Sequence, residues 1–101
     1  MSNPYDSLKL VLHDAYIQAS EGKGKERHAN DEPFELQQIC SIPRMQGTTD
    51  FVTGQAIKKC LEIRNLPDPA AKINELLGAI NYIAAAVIVI QEKLNIAKDE
   101  K

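Results

Sequence analysis

The chain has little to offer several common kinds of chemistry. Of its 101 residues only two are cysteines, Cys40 and Cys60, with no CxxC spacing, and only His13 and His28 are histidines. Neither a zinc site nor any other structural metal is expected from so few soft ligands, and no cofactor motif is present. A disulfide between the two cysteines stays open, although unpaired cysteines usually act as small buried hydrophobes. Charge of one sign is lacking too. Twelve basic and 14 acidic side chains leave a formal charge of −2, too weak a field to draw in a long nucleic acid or a membrane surface. No charged n-region followed by an apolar h-region opens the sequence, which leads us to expect a reduced, cytoplasmic protein. Residues 76–90, the longest apolar stretch, fall short of the roughly 20 that span a bilayer, so a buried helix is expected there. No Ser/His/Asp or Cys/His signature of nucleophilic catalysis appears.

What is present reads as one all-α domain over residues 1–101: short N-terminal helices, then a long antiparallel helical hairpin in an oligomeric bundle. Asn3 or Ser2 can cap a first helix, with Pro4 at its first position. Tyr5, Leu8, Leu12, Ala15 and Ala19 share one face, and the helix should stop near Ser20. Residues 22–33, GKGKERHANDEP, form the long polar connection. A short helix should follow, with Asp31 or Glu32 near its cap and Pro33 in its first turn. Phe34, Leu36, Ile39, Cys40 and Ile42 give it an apolar side, and Pro43 should end it. Thr48 or Thr49 can cap a third helix whose Val52, Ala56, Cys60 and Ile63 align. Asp68 and Pro69 then start a fourth helix running to about residue 97, so that 49–97 form the hairpin.

Residues 83–90 are eight consecutive apolar side chains, more than two turns with no face suited to water. Few elements exist within the chain to cover them. A homo-oligomer built through the 69–97 helix is therefore expected, with Ala85 in its interface. Asn81 needs hydrogen-bond partners wherever it is buried and can fix helix register, and Gly78 would admit a close neighbour.

The strongest site candidate is the run Gly22, Lys23, Gly24, Lys25, Glu26, Arg27, His28. Glycines let backbone N–H groups approach an anion, and lysine and arginine supply point and bidentate phosphate contacts. It is not a GxxxxGK[ST] loop, because no Ser or Thr follows the lysine and no strand precedes it. Tyr16 could stack on a base, and Arg44 could return to the same end of the molecule. The candidate ligand set is Tyr16, Lys23, Lys25, Arg27, His28 and Arg44, with no catalytic residue and no metal.

The stretch Glu75, Leu76, Leu77, Gly78, Ala79, Ile80, Asn81, Tyr82 and Ile83, followed by Ala84, Ala85 and Ala86, resembles the late helix of MazG-type all-α nucleoside triphosphate pyrophosphohydrolases. Those enzymes hold magnesium with an ExxE pair and an ExxD pair whose aspartate follows a glycine. Here Ala79 stands at that aspartate position, Leu76 at the glutamate position, and Gln55 and Lys59 where the other pair would lie. The resemblance therefore implies a shared fold with catalysis lost. An enzyme would have to use Glu32, Glu35, Glu62 or Glu75 in a different arrangement. The layout of short leading segment, basic loop and long hairpin is also similar to phage-encoded sponges that sequester cyclic-oligonucleotide or cyclic ADP-ribose signals. That similarity implies a counter-defence protein that binds a phosphorylated, nucleotide-like signal without turning it over. A protein-binding module docking through its apolar hairpin is the remaining alternative.

Overall fold

The computed structural model describes residues 3–21 and 32–99, with side chains to 95. Among these residues it is all-helical. Four α-helices, α1 (Asp6–Glu21), α2 (Gln38–Gln46), α3 (Asp50–Glu62) and α4 (Pro69–Asp99), are joined by 3-10 turns at Phe34–Leu36 and Ile63–Asn65.

Helix starts follow local chemistry. The Tyr5 N–H donates to Asn3 Oδ1 at 2.7 Å while the Asn3 N–H donates to Asp6 Oδ2 at 2.9 Å, a reciprocal cap that satisfies two otherwise orphaned donors. Ala71 N–H donates to Asp68 Oδ1 at 2.7 Å, so Asp68 and Pro69 start α4 as the sequence implies. At α3 the side chain that accepts is Thr48, from the Asp50 N–H at 3.1 Å.

The second helix departs from expectation. Pro33 precedes a 3-10 turn, α2 begins afresh at Gln38, and Pro43 lies inside α2 instead of ending it. The proline removes one backbone hydrogen bond and crowds the carbonyl of the preceding turn, about 3 kcal/mol in a helix interior. Its ring is fully buried, which offsets that loss. Termination falls to Gly47 in the left-handed conformation (φ 76°), whose N–H donates to the Pro43 carbonyl at 2.9 Å.

The core gathers Ile39 and Cys40 of α2, Val52 of α3, and Ala85, Ala86 and Val89 of α4, with Phe34, Phe51, Tyr82 and Ile88 packed against them. Ala85 therefore lies inside the chain's own core and not in a surface interface, correcting the expectation above. α3 packs along α4, with the Lys59 ammonium 3.4 Å from Glu75 Oε1 near one end and Lys93 Nζ donating to the Gly47 carbonyl near the other. The neighbour of Gly78 is that same Lys59 side chain, which would lie 3.1 Å from an added Cβ. Cys40 is buried, Cys60 is exposed and both are free thiols. Burial pushes the Cys40 thiol up to about 11.

α1 is held differently. Ala15 is its only buried residue, and Tyr5, Leu8 and Leu12 of the expected core face are exposed. Its tie to α4 is polar: Asn81 Nδ2 donates to the Ala15 carbonyl at 3.0 Å and to Gln18 Oε1 at 3.3 Å, and Gln18 Nε2 donates to the Asn74 carbonyl at 2.9 Å. The amide of Asn81 thus fixes where α1 crosses α4.

α4 is covered on one side only. Its segment Pro69–Asn95 is long and apolar enough to cross a membrane by length and composition, and 28% of its most apolar window is buried. Full burial of this helix is therefore not achieved among the described residues. Residues 76–91 carry no charge. They span about 24 Å at 1.5 Å per residue, less than the roughly 30 Å hydrocarbon thickness of a bilayer.

Candidate functional site

One cleft of about 670 Å³ lies where α1 crosses α4 beside the 3-10 turn. Its volume falls in the range of small-molecule pockets. Leu12, Ala15, Tyr16 and Ala19 of α1 form one wall and Ile80, Asn81, Ala84 and Ile88 of α4 the other. Phe34 and Gln37 come from the segment leading into α2, and Ser20 and Glu32 complete the lining.

The geometry grows out of the elements just described. The Asn81 to Ala15 hydrogen bond brings α1 across α4 at small residues, and the alanines on both helices leave space between them. Gln37, itself buried, donates through Nε2 to the Glu32 carbonyl at 2.8 Å, which holds the start of the 3-10 turn at the cleft. Ser20 Oγ donates to the Tyr16 carbonyl at 2.8 Å. The lining is mainly apolar, with the polar groups of Asn81, Gln37, Ser20 and Glu32 distributed around it.

Of the residues singled out from sequence, Tyr16 lines this cleft. Its ring is 64% exposed and stacks on His13 with centroids 6.1 Å apart and planes 21° from parallel. A face of that size open to solvent can receive a planar ring. Lys23, Lys25, Arg27 and His28 fall outside the described residues. The residues on either side of that segment nonetheless converge: Ser20 and Glu32 both line the cleft.

Arg44 does not line the cleft. Its Nε and Nη2 donate to the two carboxylate oxygens of Glu92 at 2.9 and 2.8 Å, and Nη2 also donates to the Glu35 carbonyl at 2.7 Å. This fork clamps α2 to α4 and to the 3-10 turn. The hydrogen bonds from Arg44 hold the Glu92 carboxyl below the usual carboxylate range, and the same partnership raises the guanidinium further. Gln37, Ser20 and Glu32 are polar cleft residues outside the expected ligand set, the last singled out from sequence only as a cap or an enzyme's carboxylate. The periodic signal could not mark them, because polar residues at helix ends carry no pattern of their own.

The carboxylates that a hydrolase would need are dispersed. Glu75 faces Lys59, and Glu62 lies 3.8 Å from Lys58. Among the described residues no group of three histidine, cysteine, aspartate or glutamate side chains comes together to hold a metal ion. No protein-family model, curated protein or solved structure matches this chain.

Proposed function

We propose that this chain is a non-enzymatic binding protein, working as a helical homo-oligomer built through α4, that sequesters a phosphorylated, nucleotide-like ligand in the cleft between α1 and α4. The base rests on Tyr16 and the apolar walls, and Lys23, Lys25 and Arg27 neutralise the phosphates, with His28 beside them. The observation that supports this reading is convergence. The exposed Tyr16 ring and the residues on either side of the basic segment, Ser20 and Glu32, belong to one cleft of nucleotide size. An apolar slot lined by the residues that precede and follow a sequence with two glycines and three cations suits a ligand that is flat at one end and anionic at the other. Arg44 has no part in the site, because it does not line the cleft and its Nε and Nη2 donate to Glu92 and Glu35. Binding without turnover agrees with the dispersal of the carboxylates and with the similarity to phage nucleotide sponges, whose role in counter-defence this protein would share.

Calorimetric titration with a panel of cyclic and linear nucleotides tests the reading. The wild type should take up at least one of them stoichiometrically and release it intact. Replacing Lys23, Lys25 and Arg27 with alanine should weaken binding by roughly ten- to a hundredfold per lost charge-assisted contact, with folding unchanged. Added salt should weaken it as well, since exposed charges are screened over about 8 Å at physiological ionic strength. Failure of every nucleotide to bind, or equal binding by the triple variant, would overturn it.

A further inference from the structure

The side of α4 that faces away from the core carries an unbroken heptad pattern. Ile73, Leu76, Ile80, Ile83, Val87, Ile90 and Leu94 are spaced three and four residues apart in strict alternation. Ile73, Ile80, Val87 and Leu94 occupy one seam position, and Leu76, Ile83 and Ile90 the other. Six of the seven are exposed, by 38% at Leu76 and 47–56% elsewhere, and Ile80 is half-buried. Ala85, Ala86 and Val89, which face the core, fall outside this register. The pattern thus belongs to a surface that the packing of the described residues leaves bare.

We infer that this seam is where α4 of a second copy of the chain packs, in knobs-into-holes fashion, along the outer face of α4. The inference rests on the oligomer of the proposed function and adds its geometry. Two arguments select the occupant. The seam spans 22 residues from Ile73 to Leu94, about 32 Å end to end at a rise of 1.5 Å per residue, and a partner must carry a helix of that length with the same repeat. Within the chain α1 has 16 residues and α3 has 13, and α3 is already packed on the core side, so α4 itself is the helix that fits. Second, residues 76–91 carry no charge, while Lys72 and Lys93 flank the two ends of the seam, so charges bound a dry stretch of the length a second α4 would cover.

Sedimentation velocity of the full chain at micromolar concentration tests the seam, using wild type, the double variant Ile83→Lys with Val87→Lys, and Leu10→Lys as a control. Leu10 is an exposed apolar residue of α1, 64% accessible, so its replacement removes similar surface from outside the seam. Wild type and control should associate, and the double variant should sediment as a monomer with unchanged helical circular dichroism, its association weakened by more than about a hundredfold because two unpaired charges per chain would enter the interface. If the lysine pair costs the helical signal, the milder Ile83→Ser with Val87→Ser pair is read in its place under the same expectation. A double variant that associates as tightly as wild type overturns the seam while leaving an oligomer of other geometry. A monomeric wild type, including one recovered on phosphatidylcholine vesicles, overturns both. Loss of nucleotide binding with the seam intact concerns the ligand reading alone.

Discussion

The two faces of α4 invert the usual arrangement of large and small side chains. Inward lie Ala79, Ala85, Ala86 and Val89; outward lie Ile83, Val87, Ile90 and Leu94, each 47–55% exposed. Small residues inside let α2 and α3 approach the α4 backbone closely, so Ile39, Cys40 and Val52 can fill the space with few voids. Large residues outside forgo a gain of about 1.5–3 kcal/mol each on full burial. One helix thus holds a finished packing surface and an unfinished one, and apolarity alone does not distinguish them.

The sharpest test of that comparison places the same charge two residues apart. Ala85→Glu puts an unpaired carboxylate among Ile39, Cys40 and Val52, at a cost on the order of 3–5 kcal/mol, a large part of the 5–15 kcal/mol that holds a domain together. It should abolish the cooperative thermal transition followed by circular dichroism. Val87→Glu on the outer face should keep that transition and alter only association. Two folded variants, or two unfolded ones, would erase the distinction between the faces.

A smaller effect separates neighbouring residues by truncation. Val89 is 1% exposed and Ile90 is 55% exposed. Urea unfolding in the Val87→Lys background should show Val89→Ala destabilised by about 2 kcal/mol through lost packing and a residual cavity. Ile90→Ala should stay within about 0.5 kcal/mol.

The smallest expected effect lies at the edge between the faces, where Arg44 clamps Glu92. A carboxyl held below its unfolded pKa, about 4.3 for glutamate, stabilises the fold above that value and loses the contribution as pH falls through the lower folded one. Both side chains are more than a third exposed, 37% and 35%. Solvent screening therefore limits the contribution to about 1 kcal/mol or less. Wild type should exceed Glu92→Gln in stability at pH 7, and the difference should shrink toward zero in acid. An unchanged difference from pH 7 to pH 2 would show that the ion pair is not its source.

Local chemistry wrote itself plainly into the sequence. Asn3 with Pro4, and Asp68 with Pro69, announce helix starts because a side-chain oxygen can reach an orphan N–H within three residues. The absence of strands among the described residues follows from helical spacing, and Tyr16 was already marked as a ring beside a basic segment. Contacts across distance were not legible. That Pro43 is tolerated within α2 depends on the core around its ring. That Arg44 serves Glu92 depends on a residue 48 positions away. That Asn81 bonds to Ala15 and Gln18 depends on where α1 crosses α4. Most of all, eight consecutive apolar residues said that α4 needs cover on every side without saying which side the chain itself would supply. Periodicity and capping are properties of a few neighbouring residues, so the sequence determined them. The choice of Ala85 for the inside and Val87 for the outside is a question of which helices can approach, and only tertiary packing decides it.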